Sequence, residues 1–322
     1  MPNLVPPVTN FMMAAEYERN ILADLVSWGF LGGTFKPLMT IYLTDHITLE
    51  DIRLAKKAGV IATKLYPANA TTNSALGVTD IKRLKPALEM MAEVGLVLSV
   101  HGETLVSKEF GDATRNGRVG QLRREAVFLK ETAEWLVEIP NLKIVLEHIT
   151  TAEAVEFVKQ ARANVVATVT AHHLLVTLDE ALESHHNKCM PILKEEQHRQ
   201  ALLDAVTSGN PKFFGGTDSA PHAKSKKETA CGCAGCFTAL HALELYATAF
   251  EERKALDKLE AFLSQYGAEF YGLPLNEGTV TLHREEWTIP YGISFGDIEE
   301  LVPFWAGKKL YWQCLESKVK WQ

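Results

Sequence analysis

The sequence predicts an α/β fold on a parallel sheet, a (β/α)8 barrel incomplete at its N-terminus. Near-continuous apolar stretches of strand length alternate with amphipathic stretches along most of the 322 residues, the pattern of a parallel sheet buried on both faces. No Gly-x-Gly-x-x-Gly turn follows the first strand, which argues against a doubly wound dinucleotide fold. Polar residues capable of chemistry recur at the C-terminal ends of several strands, where a barrel gathers its functional groups.

Taken in order, Pro37-Leu-Met-Thr-Ile-Tyr-Leu43 reads as a strand. A short helix to Ala58 follows, with Gly59 suited to the left-handed position beyond its end. Val60 to Leu65 is the next strand. The spacing of Ile81, Leu84, Leu88, Met91 and Ala92 is helical; Pro86 kinks that helix or marks its first turn, and Gly95 closes it. Leu96 to His101 is a strand, Ala126, Leu129, Ala133, Leu136 and Val137 define a helix, and Leu142 to His148 is another strand. A helix from about Ala152 leads to the strand Val165 to Thr170. After a long loop come a helix through Leu202 and Val206 ending at Gly209, then the strand Lys212 to Thr217. Two helices follow, one through Ala242, Tyr246 and Ala249, the other through Leu259, Phe262, Leu263, Tyr266 and Phe270. The tail from about Tyr271 mixes strand and loop. No linker divides the chain, so residues 1–322 read as one domain. It holds about six strand–helix repeats where a closed barrel needs eight.

Composition narrows the function. A net charge of −7 with no basic run argues against a nucleic-acid partner. No apolar run reaches membrane-spanning length. Met1-Pro-Asn-Leu-Val-Pro-Pro7 has neither the basic nor the apolar region of a signal peptide. Five cysteines, three of them in Cys231-Gly-Cys-Ala-Gly-Cys236, fit a reducing cytoplasm better than a disulfide framework. That cluster reads as a tight glycine-rich loop. A zinc or iron–sulfur knuckle is the other reading, but no second ligand pair stands at a usual spacing.

Lys64, His101, His148 and Asp218 each stand at or just past the end of a different apolar strand. Burial disfavours a lysine ammonium. A neutral Lys64 could be a Schiff-base nucleophile or, carboxylated by CO2, bridge two cations; a lysine at a strand end can also snorkel to water. Two imidazoles and a carboxylate are ligands that zinc prefers. Within Gly215-Gly-Thr-Asp-Ser-Ala-Pro-His222, Asp218 is placed to work as general base and then general acid, or it simply caps a turn. Asn69, Thr71 and Thr72 form a polar loop after Lys64, either a solvated turn or a mobile loop that closes over a polar substrate.

Five stretches in order resemble the dihydroorotase family, of the bacterial single-enzyme type in the amidohydrolase superfamily. They are Lys64-Leu-Tyr-Pro-Ala-Asn-Ala-Thr-Thr-Asn73, Val100-His-Gly-Glu103, Glu147-His-Ile-Thr-Thr151, Gly216-Thr-Asp-Ser-Ala-Pro-His222 and Cys231-Gly-Cys-Ala-Gly-Cys-Phe237. The resemblance implies reversible cyclisation of N-carbamoyl-L-aspartate to L-dihydroorotate in pyrimidine synthesis, in a cytoplasmic homodimer. It makes Lys64 the carboxylated bridge between two zinc ions per subunit, His101 and His148 ligands of one, and Asp218 a ligand of the other and the proton shuttle. Asn3 and His222 would hold the substrate carboxylate with backbone contacts from Met190 and Ala234, and Thr71 and Thr72 would tip the closing loop.

The resemblance also implies a His-x-His pair and an arginine at the end of a first strand. This sequence contains no His-x-His, and the adjacent pairs His172-His173 and His185-His186 would diverge on a strand. Met1-Pro-Asn3 resembles the end of the family's second strand, so the first strand and most of the second are expected to be missing. The expectation is then one zinc or none, impaired turnover, and recovery on restoring upstream residues. A dihydropyrimidinase-like cyclic amidase and a catalytically silent binding or scaffold homologue are the alternatives.

Overall fold

The computed structural model describes residues 1–30, 35–230, 232–295 and 299–314. Six parallel strands form one sheet in chain order. The chain forms two compact units, Met1–Glu147 with Ala161–Val166, and His148–Gln160 with Ala167 onward.

The first unit opens with helix α1 (Phe11–Ser27), whose first turn is capped by the Asn10 side chain accepting the Met13 N–H. The sequence reading did not anticipate α1. Only Ala14 is buried along it, so it lacks the apolar stripe that reveals a packed helix. Strand β1 (Thr40–Leu43) is shorter than expected. Helix α2 (Leu49–Lys57) starts on a reciprocal capping box between Thr48 and Asp51 and ends with Lys56 and Lys57 at the negative end of its dipole. Gly59 follows at φ 85°. Strand β2 (Ala62–Leu65) is buried throughout. Pro86 lies in the first turn of α3 (Lys85–Val94), where its missing N–H costs nothing, and Gly95 ends the helix at φ 68°. Strand β3 (Val97–His101) follows. The next helix runs as α4 (Arg124–Phe128), a π-turn (Leu129–Ala133) and α5 (Glu134–Leu136), before strand β4 (Ile144–Glu147). The register pairs Tyr42 with Lys64, Lys64 with Ser99, and His101 with Glu147. Ile41, Leu88, Met91, Leu98 and Val145 are wholly buried, each such side chain contributing about 1.5–3 kcal/mol.

Strand β5 (Val165–Val169) begins in the first unit and ends in the second. In the second unit, α6 (Ala152–Gln160) packs on α9 (Glu196–Val206). The stretch expected to be one long loop after Thr170 carries helices α7 (Ala171–Leu175) and α8 (Leu178–Glu183). His172 and His173 therefore lie on a helix, not a strand, with ring centroids 4.6 Å apart. Strand β6 (Phe213–Gly215) pairs with β5, Val169 opposite Gly215. Helices α10 (Lys224–Lys227), α11 (Ala242–Glu252) and α12 (Tyr266–Tyr271) follow. The tail is strand and loop, as expected: β7 (Leu282–Thr288) pairs antiparallel with β10 (Lys309–Cys314), and β8 (Ile293–Phe295) with β9 (Glu299–Leu301). Leu203, Phe213, Phe250 and Phe262 centre this unit's core. No helix among the described residues is long and apolar enough to cross a membrane.

Candidate functional site

In the first unit, β2 delivers Lys64 and β3 delivers His101 at the strand ends. Lys64 is 1% exposed, with Nζ 5.3 Å from the centroid of the Tyr66 ring. It does not snorkel. The Tyr66 ring lies 6.3 Å from that of His101, centroid to centroid. His101 Nε2 donates to the buried Glu103 carboxylate at 2.8 Å, which orients the ring. A carboxylate behind an imidazole is a common support for a metal ligand.

Asn3 and the loop after β2 are bound together. Tyr66 donates its hydroxyl to Asn3 Oδ1 at 3.0 Å, and Asn3 Nδ2 donates to Thr72 O at 3.1 Å. Asn73 Nδ2 returns a bond to Asn3 O at 3.0 Å. Within the loop, Ser74 bonds both ways with the Thr71 backbone, and Val78 N–H donates to Tyr66 O at 2.8 Å. Tyr42 donates to Asn73 O, and burial pushes its hydroxyl up to about 12. Polar contacts thus tie the loop bearing Thr71 and Thr72 to Asn3 and to itself.

In the second unit, His148 and Asp218 share an unusual backbone, with φ of 44° and 42°. Non-glycine residues rarely adopt this left-handed region. His148 N–H donates to Thr168 Oγ1 at 2.7 Å. A Cβ on Gly216 would lie 2.8 Å from Thr168 Cβ, so Thr168 touches the segments carrying both residues. Beyond Asp218, His222 Nε2 bonds to Ala234 O at 3.1 Å. Burial lowers the pKa of His222, the Ala234 bond opposes that shift, and the Lys227 charge adds to it. Met190 begins a cis Met190–Pro191 peptide. The glycine-rich loop is confirmed by Gly232 at φ 57° and Gly235 at φ 144°. Cys231 lies outside the described residues.

Taken unit by unit, the donor types suit a divalent cation: an imidazole oriented by a carboxylate in the first, an imidazole and an aspartate in the second. His172, His173 and Cys189 also place possible ligand atoms within 4.8 Å of one another. There, however, His173 Nδ1 meets Thr170 Oγ1 at 2.6 Å and Nε2 meets Pro191 O at 3.1 Å. That histidine serves the fold. Sequence reasoning missed Glu103 and Tyr66, although Glu103 stands two residues beyond His101, close enough to have signalled a ring partner.

No family model matches the chain. A dihydroorotase of Pseudomonas savastanoi pv. phaseolicola is 54% identical over 321 residues, covering 98% of this chain and 88% of that protein. The crystal structure of dihydroorotase from Saccharomyces cerevisiae, in complex with 5-fluoroorotic acid, matches with a TM-score of 0.87 at 34% identity, covering 98% of this chain and 88% of that one. Dihydroorotase from Campylobacter jejuni matches with a TM-score of 0.83 at 35% identity, covering 98% and 87%.

Proposed function

The chain belongs to the dihydroorotase family of the amidohydrolase superfamily, and from that premise we propose that it interconverts L-dihydroorotate and N-carbamoyl-L-aspartate. Its fold class is the TIM-type barrel of that superfamily. The observation that carries the reading is 54% identity across 98% of the chain. We place the reaction in the cytoplasm, in a homodimer whose subunits are single barrel domains spanning 1–322, with small-molecule substrates and no nucleic-acid partner.

Lys64, in carboxylated form, His101, His148 and Asp218 are the residues that would hold zinc. When bound, zinc supplies Lewis acidity and brings the pKa of water to about 7. With no His-x-His in this sequence, the reading is one zinc or none per chain and impaired turnover. The support for Lys64 and His101 is their burial and the Glu103 bond behind His101. For His148 and Asp218 it is their shared left-handed backbone.

Asp218 accepts the proton of the attacking water and returns it to the ring nitrogen as the C–N bond breaks, one residue serving as base and then acid. The substrate carboxylate is received by His222 and Asn3 and by the backbone at Met190 and Ala234, with Thr71 and Thr72 at the tip of the closing loop. A neutral His222 with Nε2 donating to Ala234 O has only a lone pair at Nδ1. Receiving a carboxylate there requires a second proton, so substrate binding and proton uptake are coupled.

The test is hydrolysis of L-dihydroorotate by the purified chain, with zinc measured by elemental mass spectrometry. Turnover with about one zinc per chain is expected. A zinc-loaded chain that neither binds nor hydrolyses L-dihydroorotate overturns the assignment in favour of a silent homologue.

A further inference from the structure

Lys227 has no part in the reaction just described, yet it is the most constrained cation near the proposed carboxylate contacts. It ends α10 in the run Ala223-Lys-Ser-Lys-Lys-Glu228, which reads as a solvated charged face, but it is only 3% exposed. Its Nζ donates to Lys188 O at 3.1 Å, Cys233 O at 2.9 Å and Gly235 O at 2.7 Å. An ammonium has three protons, and all three are used. The acceptors come from two segments remote in sequence, one just before Met190 and the other flanking Ala234.

Those segments are joined further. Gly235 N–H donates to Lys188 O at 2.9 Å, and Lys188 Nζ donates to Gly232 O at 3.2 Å. Gly235 sits at φ 144°, where a Cβ would come 2.6 Å from Ala220 Cβ, so the loop is also packed from behind. Ala234, between two of the carbonyls that Lys227 grips, accepts the His222 imidazole.

We propose that Lys227 is a positioning residue for the substrate-carboxylate subsite, its ammonium clamping the segment at Met190 to the segment at Ala234 and thereby seating the His222 ring. The proposal rests on the functional reading above. Removing the ammonium takes a donor from three part-buried carbonyls and, among the described residues, leaves only Lys188 O with another, the Gly235 N–H, a costly state that the loops relieve by moving apart. It also removes a positive charge that adds to burial, the larger cause, in lowering the His222 pKa.

The experiment compares zinc-loaded wild type, Lys227→Met and Lys227→Arg. In Lys227→Met, KM for L-dihydroorotate rises about tenfold or more while kcat stays within about threefold, the signature of lost binding without lost chemistry. The His222 imidazole titrates at higher pH by NMR, with His222→Gln assigning the signal, and amide exchange at Met190 and Ala234 accelerates. Lys227→Arg keeps the charge, but its planar fork cannot converge on three carbonyls. It restores the His222 titration and leaves KM high; should the methionine variant fail to fold, the arginine variant's KM decides. Wild-type KM together with unchanged exchange in a folded variant overturns the proposal. If the wild type neither binds nor hydrolyses L-dihydroorotate, the functional reading fails and the carboxylate role with it; amide exchange then decides the clamp alone.

Discussion

Glu103 accepts a hydrogen bond from His101 Nε2 at 2.8 Å inside a wholly buried pair, so replacing it acts on His101 rather than on the substrate. Glu103→Gln should weaken zinc binding about 10- to 100-fold, read by competition with a chromogenic chelator, with the fold intact by circular dichroism. Asp218→Asn keeps the shape and removes the base; kcat should fall about 10²- to 10⁴-fold with zinc still bound. At His222, burial and Lys227 both favour the neutral ring, so binding of an anionic substrate should draw in a proton. Calorimetry in buffers of differing ionisation enthalpy measures it, and His222→Gln should abolish it. The strand-end positions of Lys64, His101 and His148 were legible in the sequence because each ends an apolar run. Lys227 was not, because nothing in a run of lysines says which one is turned inward.

Helices and strands were legible to the extent that they bury a face. Strands β2 to β5 are buried along their whole length and stood out as apolar runs. Helix α1 buries only Ala14 and went unseen; its one sequence signal is the capping Asn10. The His172-His173 pair falls in the stretch after Thr170 that reads as a long loop in the sequence. Thr170 instead accepts the His173 N–H and starts α7. Capping also decides the stability of α2, where Thr48 and Asp51 satisfy each other's backbone donors. Thr48→Ala should cost about 1 kcal/mol, measured by urea unfolding, while Thr48→Asp should cost little.

For the molecule as a whole, acid sensitivity should trace in part to His241. It is buried, donates Nε2–H to Phe304 O at 2.9 Å, and has its pKa lowered to about 4 by burial. The unfolded chain binds this proton near pH 6.5 and the folded one does not. The stabilising contribution is therefore complete above about pH 6.5 and drains away as pH falls towards 4, about 3 kcal/mol in all. His241→Gln should flatten the pH dependence of the denaturation midpoint across that window. The alternating architecture was readable because a parallel sheet forces continuous apolar strands. The turn into left-handed backbone at His148 and Asp218 was not, because histidine and aspartate, though enriched there among non-glycine residues, adopt it too seldom for their presence to reveal it. Yet that turn sets up a conflict of interests: at both places glycine would sit more comfortably than the side chain that is there. Glycine at either place should therefore relax the backbone while deleting the side chain that the proposed chemistry uses, so sturdiness and reactivity pull in opposite directions there.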